Sequence, residues 1–199
     1  LKIAWDTPEI EIVAVNDLGD IANMAYLLKY DTVYKKWEHD IQIKGDAIVI
    51  DGREVKVLAE KDPGLLPWRD LNIDVVVEST GLFTSYEKAN AHIRAGAKKV
   101  VISAPGKDGD GTILGETILL GINEEKFGTC DITSNASCTT NAASPLIAIL
   151  HETIGIEKAA GDVHVHAIAR RRELHAELRA LDSHHHARRS HREVATRSW

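Results

Sequence analysis

Three apolar, largely β-branched runs recur along this chain and constrain its fold more than any other feature. They are residues 10–15 (IEIVAV), 73–77 (IDVVV) and 100–102 (VVI), and each soon gives way to short polar residues or glycine: Asn16-Asp17, Ser79-Thr80-Gly81 and Ser103. Runs of this kind mark strands covered on both faces, the usual condition in parallel sheets. Helical patterns lie between them. Asp20 is placed to cap a helix reaching about Tyr30, whose Ile21, Met24, Ala25 and Leu28 fall at i, i+3, i+4 and i+7. Residues 84–87 (TSYE) read as a capping box opening a helix that closes near Ala95, with Gly96 just past its end. The alternation predicts an α/β chain with a doubly wound, mostly parallel sheet whose polar strand ends line one crevice.

The other segments fit around that frame. Residues 1–5 end a helix at the Asp6-Thr7-Pro8 turn. Residues 47–50 and 53–57 alternate and are joined by Asp51-Gly52, the dipeptide of a type I′ hairpin. Residues 116–122 and 131–133 read as further strands. A strand ending on an acid, as residues 10–17 do, is where dinucleotide folds hold the adenosine ribose diol, and a carboxylate there disfavours a 2′-phosphate by charge. A plain turn role is the alternative for Asp17. The Gly-x-Gly-x-x-Gly turn expected about twenty residues earlier is missing because the sequence begins after it. Gly109, Gly111 and Gly115 have the wrong spacing to replace it.

The stretch SNASCTTN, residues 134–141, carries the chemistry. It follows a short strand and precedes an apolar segment, so it reads as a strand-to-helix turn with Cys138 at the helix entrance. Free N–H groups and the positive end of a helix dipole favour thiolate over thiol, which makes a cysteine there a candidate nucleophile. A packed structural cysteine is the plainer reading. Ser137, Thr139, Thr140 and Asn141 can donate hydrogen bonds to a bound anion or a developing oxyanion. Pro145 follows within the expected helix; its ring would meet the carbonyl of Asn141, so a kink or a break is predicted.

Composition bounds the function. The net charge of −6 argues against a general nucleic-acid binder. Cys130 and Cys138 have no metal-ligand spacing and suit a reducing, cytoplasmic compartment. No signal peptide or membrane-length apolar run is read.

From about residue 10 to about residue 158, the order of motifs resembles that of the phosphorylating glyceraldehyde-3-phosphate dehydrogenases. The stretches that carry the resemblance are VAVND (13–17), LKYD (28–31), VVESTGLFT (76–84), GAKKVVISAP (96–105), LGIN (120–123) and SNASCTTN (134–141). The resemblance implies a Rossmann-type cofactor domain over residues 1–137, without its first strand and Gly-rich turn, and the start of a catalytic domain over 138–168. It implies NAD as cofactor, held through Asn16, Asp17, Ser79, Thr80, Gly81 and Ser103. Cys138 is then the catalytic thiolate, with Ser137 and Thr139 beside the substrate, and no metal is called for. Within VHAI (165–168), His166 is the implied base, one residue later than expected and with His164 close by. The implied reactants are glyceraldehyde 3-phosphate and inorganic phosphate, with erythrose 4-phosphate as an alternative substrate. The implied assembly is a homotetramer.

Beyond Lys158 the family pattern stops. That stretch holds eight Arg, five acids and seven of the ten His, and residues 169–199 form a His/Arg-rich tail in which Leu174, Leu178 and Leu181 could line a short helix. A shifted reading frame of the family's own coding sequence accounts for the tail economically, because residues 182–190 (DSHHHARRS) match a TPTTTAAIA-like segment read one nucleotide early. The chain as written is therefore expected to be inactive. The alternatives are a non-enzymatic remnant with a reactive thiol and a module whose tail binds metal or nucleic acid.

Overall fold

Capping and turn chemistry set the element boundaries in the computed structural model, which describes residues 1–107, 111–161 and 165–169. A single helical turn, α1 (Lys2–Trp5), precedes the strand β1 (Ala14–Asn16). The helix α2 (Ile21–Lys29) is capped as expected: the Asp20 carboxylate accepts from the Asn23 N–H at 3.0 Å. A short antiparallel pair, β2 (Tyr30–Asp31) and β3 (Lys35–Lys36), leads to a meander of β4 (Ile41–Lys44), β5 (Ala47–Ile50) and β6 (Arg53–Leu58). Asp51 and Gly52 both take positive φ, +47° and +81°, as a type I′ turn requires.

Then come β7 (Val75–Glu78), α3 (Tyr86–Arg94), β8 (Lys99–Ile102), β9 (Gly115–Thr117) and β10 (Ile132–Ser134). After them lie α4 (Cys138–Ile154), β11 (Ile156–Gly161) and β12 (Val165–Ala169). Four expectations shift. The α3 cap is Ser85, whose Oγ accepts from the Lys88 N–H; Thr84 instead gives its carbonyl to the Lys107 N–H. The first apolar run forms a strand only at its end, over β1. The strand expected at 116–122 shortens to β9, because the Leu119 carbonyl receives the N–H of both Ile122 and Asn123 and turns the chain. Helix α4 continues through Pro145 without a break, so 17 residues of helix tolerate the missing donor.

The expected single sheet is two. One has the order β1-β6-β5-β4, with β1 parallel to β6 and the meander antiparallel, because the hairpin signal at Asp51-Gly52 fixes local pairing. The other, β7-β8-β10-β9, is wholly parallel. Strand β7 is covered on one face only: Val76 and Glu78 are buried, while Val75 and Val77 are 52% and 64% exposed. The parallel sheet buries Val100, Ile102 and Ile132 with Leu66, Trp68 and Ala89; the mixed sheet buries Ile48, Ile50 and Val55 with Trp5.

The described residues divide into two compact units, one within 1–118 and 125–136, the other formed by 119–124 with 137–161 and 165–169. Within the second, α4 lies against β11 and β12. Among the described residues, no helix is long and apolar enough to cross a membrane, and no group of three metal-ligating side chains assembles. His164, residues 108–110 and the tail from 170 to 199, including the Leu174–Leu178–Leu181 stripe, lie outside the described residues.

Candidate functional site

Parallel register in the first unit brings the strand ends level. Glu78, Ile102 and Ser134 are direct neighbours across the ladder, so the loops after β7, β8 and β10 leave from the same end. Two expected cofactor residues meet there: the Ser103 and Ser79 hydroxyls are 3.1 Å apart. Ser134, 1% exposed, uses all the bonding capacity of one hydroxyl. Its Oγ donates to the Ala104 carbonyl at 2.6 Å and accepts from the N–H groups of Gly106 at 2.9 Å and Ala136 at 3.0 Å. Ala136, two residues before Cys138, is held at φ +60°, a conformation that costs a side chain about 1 kcal/mol.

Below the loop after β7 lies a buried polar chain that sequence reading missed. Trp68 Nε1 donates to His92 Nδ1 at 3.0 Å, and His92 Nε2 lies 3.0 Å from Glu78 Oε2. An indole N–H only donates, so Nδ1 is the acceptor and the ring proton sits on Nε2, donating to the carboxylate. The other carboxylate oxygen accepts from the N–H and hydroxyl of Thr80. Burial pushes the Glu78 carboxyl up, but hydrogen bonds from His92 and Thr80 outweigh it and hold the group below the usual range. An acid in an otherwise apolar strand was the available signal, since a buried carboxylate needs donors.

At the end of β1, Asp17 is exposed and its Oδ1 accepts from the Gly19 N–H at 2.7 Å, so the turn role and an outward carboxylate coexist. The Asn16 amide is occupied differently: Nδ2 donates to the Glu60 carbonyl and Oδ1 accepts from the Glu60 N–H, both at 2.9 Å. It ties the end of β1 to the segment that follows β6. Thr80 is likewise engaged, its Oγ1 donating to Glu78 and accepting from the Leu82 N–H at 3.1 Å. Ser79, Gly81 and Ser103 are exposed, and apart from Gly81 and its two chain neighbours no atom lies within 4 Å of where a Cβ on Gly81 would sit, at φ +76°. An exposed acid on one strand end and open small residues on others suit a dinucleotide whose ribose and phosphates need close backbone approach.

In the second unit, Cys138 is the exposed first residue of α4. Ser137 caps that helix, its Oγ accepting from the Thr140 N–H at 3.1 Å and lying 2.9 Å from Thr139 Oγ1 and 2.7 Å from Thr140 Oγ1. The hydroxyls of Ser137, Thr139 and Thr140 thus form one cluster in the first turn of the helix that Cys138 begins. Cys130 differs: half-buried, its Sγ bonds the Ile132 carbonyl at 3.1 Å and plays a structural part. His166 stands on β12, opposite Ala160 of β11. The structure thus groups Ser79 with Ser103, and Ser137 with Cys138 and Thr139; Asp17 and Asn16 belong to the other sheet.

Comparison with known proteins places these features in a lineage. The family model "Glyceraldehyde 3-phosphate dehydrogenase, NAD binding domain" matches residues 1–86. Glyceraldehyde-3-phosphate dehydrogenase of Thermotoga maritima is 48% identical over 150 residues, covering 75% of this chain and 44% of that protein. The Clostridium acetobutylicum enzyme is 51% identical over 159 residues, covering 79% and 46%. The chromosomal enzyme of Cupriavidus necator is 51% identical over 150 residues, covering 74% and 43%. The chain spans less than half the length of each of these relatives.

Proposed function

Because this chain belongs to the glyceraldehyde-3-phosphate dehydrogenase family, we propose that it serves NAD-dependent oxidative phosphorylation of glyceraldehyde 3-phosphate. The observation that carries the reading is Cys138, exposed at the start of a 17-residue helix capped by the Ser137 hydroxyl. Asp17 holds the adenosine ribose by its exposed carboxylate; Ser79, Gly81 and Ser103 flank the cofactor, while Asn16 and Thr80 support them from behind. NAD held by these residues would supply the hydride acceptor. Cys138 Sγ adds to the aldehyde carbon, forming a hemithioacetal whose hydroxyl proton passes to His166. Loss of that proton and the hydride leaves a thioester, and an oxygen of inorganic phosphate then displaces the sulfur. Ser137 and Thr139 donate to the oxygen that gains charge. By the same kinship the assembly is a homotetramer in the cytoplasm.

Absorbance of NADH tests this directly. With glyceraldehyde 3-phosphate and NAD, whatever NADH the chain forms should rise with phosphate and vanish as Cys138→Ala. Turnover should fall far below that of a full-length relative, since residues beyond 158 lack the family pattern. NADH formation that survives Cys138→Ala overturns the assignment of the nucleophile. A chain that binds NAD and alkylates at Cys138 yet forms no NADH would be a non-catalytic member of the family.

A further inference from the structure

A buried charge is expensive, and an apolar residue at position 78 would serve packing alone as well. What Glu78 does that an apolar side chain cannot is grip the loop after it. Its Oε1 takes both the N–H and the hydroxyl of Thr80, and the same hydroxyl receives the Leu82 N–H, so the backbone on either side of Gly81 is tied down. Gly81 is left in the left-handed region with open space above it. The carboxylate is in turn aimed by His92, itself fixed by the Trp68 N–H on one nitrogen and by the rings of Trp68 and Phe83 at 6.2 and 6.4 Å. Phe83 belongs to the same loop. The chain of contacts therefore runs from the core beneath the sheet to the segment that flanks the cofactor.

The geometry points to Glu78, His92 and Trp68 as positioning residues that preset the Ser79–Thr80–Gly81 loop for the dinucleotide. This rests on the cofactor reading above. None of the three is assigned to touch NAD; each acts through Thr80. Their loss should raise the Kd for NAD in a chain that remains folded.

The test measures NAD affinity of the whole chain as wild type, Glu78→Gln, Thr80→Val and the double variant, with folding checked by near-ultraviolet circular dichroism. Glu78→Gln should weaken NAD by about tenfold or more, and the double variant should be no weaker than the worse single one, as expected of residues acting in series. Ile41→Ala, on β4 at the opposite edge of its sheet from β1, is the control for stability alone and should leave affinity unchanged. Should Glu78→Gln fail to fold, Trp68→Phe removes only the terminal donor and a small part of the ring, and should weaken NAD several-fold. Unchanged affinity in a folded Glu78→Gln or Trp68→Phe chain, or additive losses in the double variant, overturns the proposal. If the wild type binds no NAD, the cofactor reading fails by itself. Amide exchange at Thr80 and Leu82, accelerated about tenfold or more in Glu78→Gln, then still decides whether the carboxylate holds the loop.

Discussion

Glu78 makes the fold acid-sensitive, because its hydrogen bonds reward the charged form. The folded group titrates below its ordinary 4.5, so its contribution is complete above about that pH and is lost as pH falls through the folded value. Urea unfolding from neutral pH to about pH 3 should show stability falling below about 4.5, with a shallower fall in Glu78→Gln. Ser134 should be costlier to remove. Ser134→Ala strands the Gly106 and Ala136 N–H groups and the Ala104 carbonyl, which predicts a loss of about 2–4 kcal/mol in urea unfolding at neutral pH. Placements that depend on local sequence, such as Cys138 at a helix start and Asp17 just after a strand, were legible in advance. Glu78, His92 and Trp68 were not. They are 10 to 24 residues apart, and only the parallel sheet and α3 bring them together.

Elements were readable wherever a cap or turn has its own chemistry. Asp20 and the Asp51-Gly52 turn stand as expected, whereas the α3 cap moved by one residue to Ser85, and the Thr84 carbonyl accepts from the Lys107 N–H. Gly96 after α3 is the most demanding of these sites. At φ +112° an added Cβ would come within 2.5 Å of Arg69 Cβ and 2.7 Å of its backbone, contacts that no rotamer relieves. Gly96→Ala should cost about 3 kcal/mol or more by thermal or urea unfolding. Asp20→Ala, which removes one cap bond at an exposed helix start, should cost about 1 kcal/mol.

At the scale of the molecule, the α/β class followed from apolar runs alternating with helical periodicity. The division into two sheets did not, because periodicity reports which face of a strand is covered and not which strand lies beside it. Nor could it reveal that Val75 and Val77 face outward from a run that reads as buried on both sides. The proposed preference for NAD depends on Asp17 presenting its carboxylate to the ribose diol. Titrating NAD and NADP into the wild type and Asp17→Ala is the most direct measurement of that claim. The wild type should bind NAD saturably and NADP about tenfold or more weakly, with the preference collapsing in Asp17→Ala. Equal affinity of the wild-type chain for the two dinucleotides, or binding of neither, would contradict it.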